Sequence, residues 1–512
     1  MRPRMPRGMA ISAPRLGVDV IGSIDLVGAL VKYLSIAFLM PLFLAIGVGD
    51  PFWPFLVSFL VTLGAGLLMQ NLTRDGDRVG IREGFLVVAM LWLLLPAFGA
   101  LPYFLDGEGS LSRPLDAYFE SVSGFTATGA TIITDFDDLS KSFALWRQFT
   151  QWIGGMGILV LAIAVLPRLR VGGRYLLHNE LAGPTELERV TISIRDVARN
   201  LWVLYVALTA LAILVLSIIG WTGLDPAMSV YEAAAHAFTS IALGGFSTQA
   251  GSLSAFSGAT QWAVIAFVAL AGINFLRLYQ AVLQRRPGIV GRDQEIRLYV
   301  VLLLAGSALL LAELLGSGIE SGEEAVRHAV FQATSIMTTA GFASANYTTW
   351  GSLAGLTLLT LMFIGASAGS TGGSIKVVRH LLMGKLLRRE LEQVVHREAV
   401  IPIRLSGSTV DERMLRSVAA FIVIYVVILA LGSIGLVIES RRGGIEVEEF
   451  QAIGAAAAAL GNVGPAFGFA GPFGSYAPFS DVSKGILIAL MWLGRLEILP
   501  VVVLLTRTYW RA

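Results

Sequence analysis

The sequence predicts an all-α polytopic membrane protein: two N-terminal helices, then four helix–pore-loop–helix repeats around a pseudo-fourfold pore. Three observations predict it. First, the 512 residues are 55% hydrophobic and only 14% charged, with a mean hydropathy of +0.72; a soluble chain carries about 25% charged residues. Second, the apolar residues fall in ten runs, at 21–48, 54–69, 84–104, 145–166, 201–219, 262–283, 298–315, 353–364, 419–438 and 485–505. A span needs about 20 apolar residues, so most of these qualify alone, while 54–69 and 353–364 need their flanks. Third, one pattern recurs four times between long apolar runs: ESVSGFTATG ending at Gly129, HAFTSIALGG at Gly245, QATSIMTTAG at Gly341 and AAAAALGNVG at Gly464. A repeat of this kind bears on the whole architecture.

The basic N-terminus resembles the start of a signal peptide. The apolar run after it is too long and lacks a clear small-residue cleavage site, so a retained first helix is expected. Runs 21–48 and 54–69 carry no glycine segment and form an N-terminal two-helix unit, residues 1–80. Four repeats follow, at 81–170, 171–290, 291–400 and 401–512. Their key glycines are unequally spaced, as expected for diverged repeats joined by variable loops. The connectors at 106–114, 221–226, 316–323 and 439–444 are rich in Gly, Ser, Pro and charge, as solvated loops are.

Charge fixes the expected topology. Lys and Arg concentrate at 2–15, 74–82, 168–199, 285–297, 376–416 and 507–511, whereas the alternate loops hold few, among them Arg113, Lys141, Arg327, Arg441, Arg442 and Lys484. The positive-inside rule then places both termini in the cytoplasm and all four glycine segments outside. With no cysteine in the chain, disulfides and thiolate metal sites are excluded.

Each glycine segment follows a short helix whose first turns are acidic: Asp116 and Glu120, Glu232, Glu323 and Glu324, then Glu446, Glu448 and Glu449. Acids suit a helix N-terminus, and either cap it in water or orient its negative end toward a cation. Glycine supplies positive φ and absent bulk where carbonyls converge. Four such segments around one axis make a ring of carbonyls able to replace a cation's hydration shell. The expected filter is Thr126, Ala127, Thr128 and Gly129; Leu243, Gly244 and Gly245; Thr338, Thr339, Ala340 and Gly341; and Asn462, Val463 and Gly464. Thr126, Thr128, Ser247, Thr338, Thr339 and Asn462 are expected to brace the loops or add oxygens.

The small-residue run Gly365, Ala366, Ser367, Ala368, Gly369, Ser370, Thr371, Gly372 and Gly373 interrupts the second helix of the third repeat. Such residues form helix poorly. One reading is a mobile intramembrane loop below the filter. The other is a close helix–helix contact, since Gly365 and Gly369 have four-residue spacing. Arg495 is the basic residue deep in the last span. It is expected to face the cavity under the filter and to touch the 365–373 segment, because charges there are costly unless the path is wet. Asn274 and Arg277 are weaker candidates of the same kind.

These segments, with residues 146–167 (WRQFTQWIGGMGILVLAIAVLP), 365–379 (GASAGSTGGSIKVVR), 460–468 (LGNVGPAFG) and 491–500 (MWLGRLEILP), make the chain resemble TrkH-type subunits of the Trk/Ktr/HKT potassium transporter superfamily over its whole length. The resemblance implies K⁺ uptake through the filter residues, a homodimer, a TrkA-type cytoplasmic nucleotide-binding ring and a bacterial cytoplasmic (inner) membrane. It favours the reading of 365–373 as a gate that blocks the pore when closed, and Arg495 is grouped with it from its own place in the last span. ALGGF at the second filter and the nearly all-alanine fourth short helix depart from the family pattern. No nucleotide motif occurs, so no nucleotide is expected on this chain. The basic segments 168–199 and 376–416 are expected to dock the ring or to meet anionic lipid. No nucleic-acid partner is expected.

Two other classes fit less well. A carrier would show inverted repeats and paired broken helices, whereas four parallel repeats and one broken helix are expected here. An intramembrane enzyme would need converging acids and histidines. His178, His236, His328, His380 and His396 read as loop or helix-end residues at unrelated spacing.

Overall fold

The computed structural model describes residues 18–72, 80–107, 109–137, 139–164 and 194–511. The basic N-terminus and most of the 168–199 segment lie outside the described residues.

The first span runs Val20–Val48, as helix α1 (Val20–Ser35), a 3₁₀ turn and α2 (Leu39–Val48). It packs along α3 (Trp53–Leu72). The first repeat then opens with α4 (Ile81–Gly99) and α5 (Leu101–Asp106), continues through the short α6 (Pro114–Phe125) and returns through α7 (Lys141–Ala164). Pro96 lies in α4, and side chains use the carbonyls around it: Ser121 Oγ donates to Pro96 O at 2.7 Å and Trp146 Nε1 to Gly99 O at 3.0 Å.

The second repeat is α8 (Ile194–Trp221), short helix α9 (Val230–Ala242), α10 (Gly258–Ala271) and α11 (Phe275–Val282). After α12 (Gly288–Arg292), the third is α13 (Gln294–Ser317), short helix α14 (Gly322–Met337), α15 (Ser352–Ile364) and α16 (Val377–Val395). The hairpin β1 (Arg404–Leu405) and β2 (Ser408–Thr409) leads to the fourth: α17 (Glu412–Gly443), short helix α18 (Glu449–Gly461), α19 (Asp481–Arg495) and α20 (Leu499–Leu504). Each short helix packs on the second helix of the preceding repeat. Thus α6 meets α19, α9 meets α7, α14 meets α10 and α18 meets α15. That cyclic order is the pseudo-fourfold arrangement.

Burial is inverted relative to a soluble protein. Phe43, Leu304, Val423 and Leu431 are 60–66% exposed, whereas Glu120, Thr126, Gln148, Thr339 and Asn462 are fully buried. Apolar side chains on the outside and polar ones inside suit lipid as the solvent.

Six helical stretches among the described residues are long and apolar enough to cross a membrane, and the bent α10–α11 pair makes a seventh. The expectation of one broken helix is corrected. The 262–283 run bends by 101° between α10 and α11, and the 485–505 run breaks between α19 and α20, where Glu497 and Ile498 take positive φ. Hydropathy continues across both breaks, so apolar content alone conceals them. The 365–376 stretch is non-helical, which rules out the close helix–helix contact.

Candidate functional site

The four glycine segments meet head to tail. Gly129, Gly245, Gly341 and Gly464 all have positive φ, between 77° and 100°. An added Cβ at Gly129 would come within 3.0 Å of the Gly244 carbonyl oxygen. At Gly245 it would meet Ala340 O, at Gly341 Val463 O, and at Gly464 Thr128 O. The sequence of contacts closes on itself, first repeat to second, third, fourth and back. Backbone oxygens and glycine Cα atoms thus form a closed ring with no space for side chains.

Two residues before each glycine lies a second left-handed residue: Ala127, Leu243, Thr339 and Asn462, with φ of 50°, 53°, 66° and 53°. Each segment therefore repeats one uncommon backbone shape. The amide of the residue between the two left-handed positions bonds back to its short helix: Thr128 N to Ser123 O at 2.9 Å, Gly244 N to Thr239 O at 2.9 Å, Ala340 N to Ser335 O at 2.8 Å and Val463 N to Ala458 O at 2.8 Å. These bonds occupy otherwise orphaned carbonyls at the helix ends. Strained backbone of this kind persists only where its surroundings over-determine it.

Side chains supply that over-determination. Asn462 Nδ2 donates to Thr128 Oγ1 and to Met491 O, each at 3.0 Å, tying the fourth segment to the first. Gln151 on α7 donates to Gly244 O at 2.6 Å and accepts from Phe246 N at 3.1 Å. Arg147, one helical turn earlier, pairs with Glu120 at 2.8 Å and donates to Ser247 O at 3.2 Å, with both ionic side chains buried. Its guanidinium also lies 4.1 Å from the centre of the Phe246 ring. Thr126 and Thr338 hydroxyls return to their own helices at Val122 O and Thr334 O.

Sequence reading missed a second register. Nine residues before each key glycine stand Glu120, His236, Gln332 and Ala455. The three polar ones clasp the chain just beyond their own glycine. Glu120 accepts from Thr131 Oγ1 and Ile132 N, at 3.0 and 2.8 Å. His236 Nε2 bonds Ser247 Oγ at 2.9 Å, and Gln332 donates to Ser344 Oγ at 3.4 Å. His236 and His328 lie within short helices rather than in loops or at helix ends. The shared first position of the four quoted motifs carried this signal.

The expected acidic first turns are present in α6, α9, α14 and α18, at Asp116, Glu232, Glu323 with Glu324, and Glu449. They do not all face water. Asp116 pairs with buried Lys484 at 2.7 Å, while Glu323 and Glu324 side chains are 61% and 72% exposed. Glu120 lies deeper in its helix than the first turn.

The 365–373 segment lies against the C-terminal ends of the short helices. Thr371 Oγ1 donates to Ile241 O at 3.1 Å in the second repeat, and Gly373 N to Thr339 Oγ1 at 2.8 Å in the third. A Cβ on Gly373 would strike Gly461 O in the fourth, and one on Gly372 would reach Thr338 O. The break between α10 and α11 receives the same segment: Ser367 N donates to Gly272 O at 3.0 Å and Phe275 N to Gly369 O at 3.1 Å. Non-helical backbone at this depth is thereby satisfied within the protein. Ala368 N is held by Glu295 Oε1 at 2.6 Å.

Arg495 touches the same segment. It is 2% exposed and donates to Thr371 O at 2.9 Å and Gly154 O at 3.0 Å. Asn274 caps α11, and Arg277 pairs with Asp293 at 3.1 Å. Glu497 turns away from Arg495 to meet Lys376 at 3.2 Å and Arg379 at 2.6 Å.

Fold and site together define a multi-pass membrane protein with four re-entrant segments around one axis. The family model TrkH, described as cation transport protein, matches residues 55–510. The "Trk system potassium uptake protein TrkH" of Halomonas elongata is 36% identical over 491 residues, covering 95% of this chain and 98% of that protein. The protein of the same name from Escherichia coli K12 is 34% identical over 498 residues, with 95% and 98% covered. The crystal structure of the potassium transporter TrkH from Vibrio parahaemolyticus matches with a TM-score of 0.84 at 33% identity, covering 96% of this chain and all of that one. The chain belongs to the TrkH family of cation transport proteins. It is a transporter by family, not an enzyme.

Proposed function

We propose that this protein takes up potassium as the membrane subunit of a Trk-type system. The names of its relatives, potassium uptake proteins, support the substrate. The observation that carries the mechanism is the closed ring of glycines and carbonyl oxygens. K⁺ enters from outside and exchanges hydration water for oxygens of Thr126, Ala127, Thr128 and Gly129, Leu243, Gly244 and Gly245, Thr338, Thr339, Ala340 and Gly341, and Asn462, Val463 and Gly464. Rb⁺ follows K⁺, while Na⁺ and Li⁺ are rejected.

The gate is the segment from Gly365 to Gly373, through Ala366, Ser367, Ala368, Gly369, Ser370, Thr371 and Gly372. It blocks the inner side of the filter and is latched by Arg495. The repeats correspond to residues 81–170, 171–290, 291–400 and 401–512, after the two-helix unit 1–80. The protein is a homodimer in a bacterial cytoplasmic membrane, with both termini inside. A soluble nucleotide-binding ring on the 168–199 and 376–416 segments moves the gate.

Purified protein in proteoliposomes tests this reading through fluxes of K⁺, Rb⁺, Na⁺ and Li⁺. Uptake of K⁺ and Rb⁺ in preference to Na⁺ and Li⁺ supports it. Equal passage of all four contradicts it.

A further inference from the structure

The fourth segment is held differently from the other three. Its clasp position is Ala455, which has no polar atom, while Glu120, His236 and Gln332 hold the other segments just beyond their glycines. A tyrosine from the loop after α18 acts there instead. Tyr476 Oη donates to the Gly464 carbonyl oxygen at 2.7 Å. Its own amide donates to Thr131 O at 2.8 Å, so the residue spans from the fourth segment to the first. The ring is 2% exposed and packs on Phe119 and Phe479, with centroids 5.8 and 5.7 Å apart. Among the described residues, no donor reaches the carbonyl oxygens of Gly129, Gly245 or Gly341.

We infer that Tyr476 is a positioning residue for cation selectivity, acting through the Gly464 oxygen. A carbonyl oxygen has two lone pairs. The hydroxyl takes one and leaves the other for an ion. It also fixes how far that oxygen can move inward. A pinned oxygen suits an ion of K⁺ size but cannot follow a smaller Na⁺ toward the axis. Coordinating carbonyls discriminate through their number, field and freedom to move, and Tyr476 restricts the last of these at one of four positions. The inference rests on the filter reading above.

The test compares K⁺/Na⁺ flux ratios in proteoliposomes for the natural protein, Tyr476→Phe, Tyr509→Phe and a protein carrying 3-fluorotyrosine at 476. Tyr509 donates to Arg82 O at 2.6 Å, away from the ring, and controls for loss of any tyrosine–carbonyl bond. Tyr476→Phe is expected to lower the ratio about fivefold, the size of one net hydrogen bond, with K⁺ flux retained. Tyr509→Phe is expected to keep the natural ratio. Fluorotyrosine, a stronger donor of nearly the same volume, is expected to raise the ratio. It decides the matter alone should Tyr476→Phe fail to reconstitute. A natural ratio in Tyr476→Phe, an equal fall in Tyr509→Phe, or a natural or lowered ratio with fluorotyrosine overturns the inference. A natural protein without K⁺ preference overturns the filter reading instead, and this inference with it.

Discussion

Arg495 Nη1 donates to the Thr371 carbonyl oxygen at 2.9 Å. The deep arginine of the last span therefore grips the middle of the non-helical segment in the third repeat. Its second bond, to Gly154 O at 3.0 Å, anchors that grip on the first repeat. A planar guanidinium can serve two carbonyls at fixed angles, as a single ammonium cannot.

Replacing Arg495 by Ala is expected to raise K⁺ uptake and make it less dependent on the regulatory ring. A fixed charge about 4 Å from the path opposes K⁺ by about 4 kcal/mol at an effective dielectric near 20. Arg495→Lys should fall between, since one ammonium keeps the charge but not both bonds. Selectivity should stay nearly natural in both, because the glycine ring is untouched. Flux measured with and without the ring partner checks this. Unchanged flux in Arg495→Ala counts against a latch.

Deleting residues 366–370 is expected to raise flux further and leave K⁺/Na⁺ discrimination intact. The deletion removes the groups that meet Gly272 O, Phe275 N and Glu295, and so frees the segment from the α10–α11 break. Reduced flux in a well-folded deletion protein would show a packing element. Lost selectivity at normal flux would make the segment part of the filter.

The buried pair of Arg147 and Glu120 predicts a stability effect. Arg147→Met leaves a carboxylate buried without its cation, which costs about 3–5 kcal/mol. The thermal midpoint in detergent should fall. Adding Glu120→Gln should recover part of the loss, because a neutral amide needs no counter-charge. Losses that simply add in the double variant would show that the two side chains act independently.

Purified chain without a partner is expected to show no tight binding of ATP or NADH by calorimetry. The sequence holds no nucleotide motif. Tight binding to the isolated chain contradicts control through a separate ring.

The glycine register was legible because a positive φ pressed against another backbone leaves one common choice of residue. The second left-handed position was not. Ala127, Leu243, Thr339 and Asn462 share no chemistry, and only asparagine adopts that conformation readily. Tertiary contacts impose it on the other three. The non-helical 365–373 segment showed itself through nine small residues in an apolar run. The breaks at 272–274 and 496–498 did not, because their satisfaction comes from distant partners: Ser367 and Gly369 for the first, and Lys376 and Arg379 around Glu497 for the second. Arg147 and Gln151 stood in plain view within an apolar helix. Their role became clear only when Glu120 and Gly244, far apart in the chain, were brought beside them.

The most direct test of the central claim is the K⁺/Na⁺ flux ratio in proteoliposomes of Gly129→Ser, Gly245→Ser, Gly341→Ser and Gly464→Ser, each made singly. An added side chain would meet the carbonyl oxygen of the neighbouring repeat in every case. If the four segments form one axial site, each variant lowers the ratio while the protein remains folded. Natural selectivity in all four variants would contradict the account.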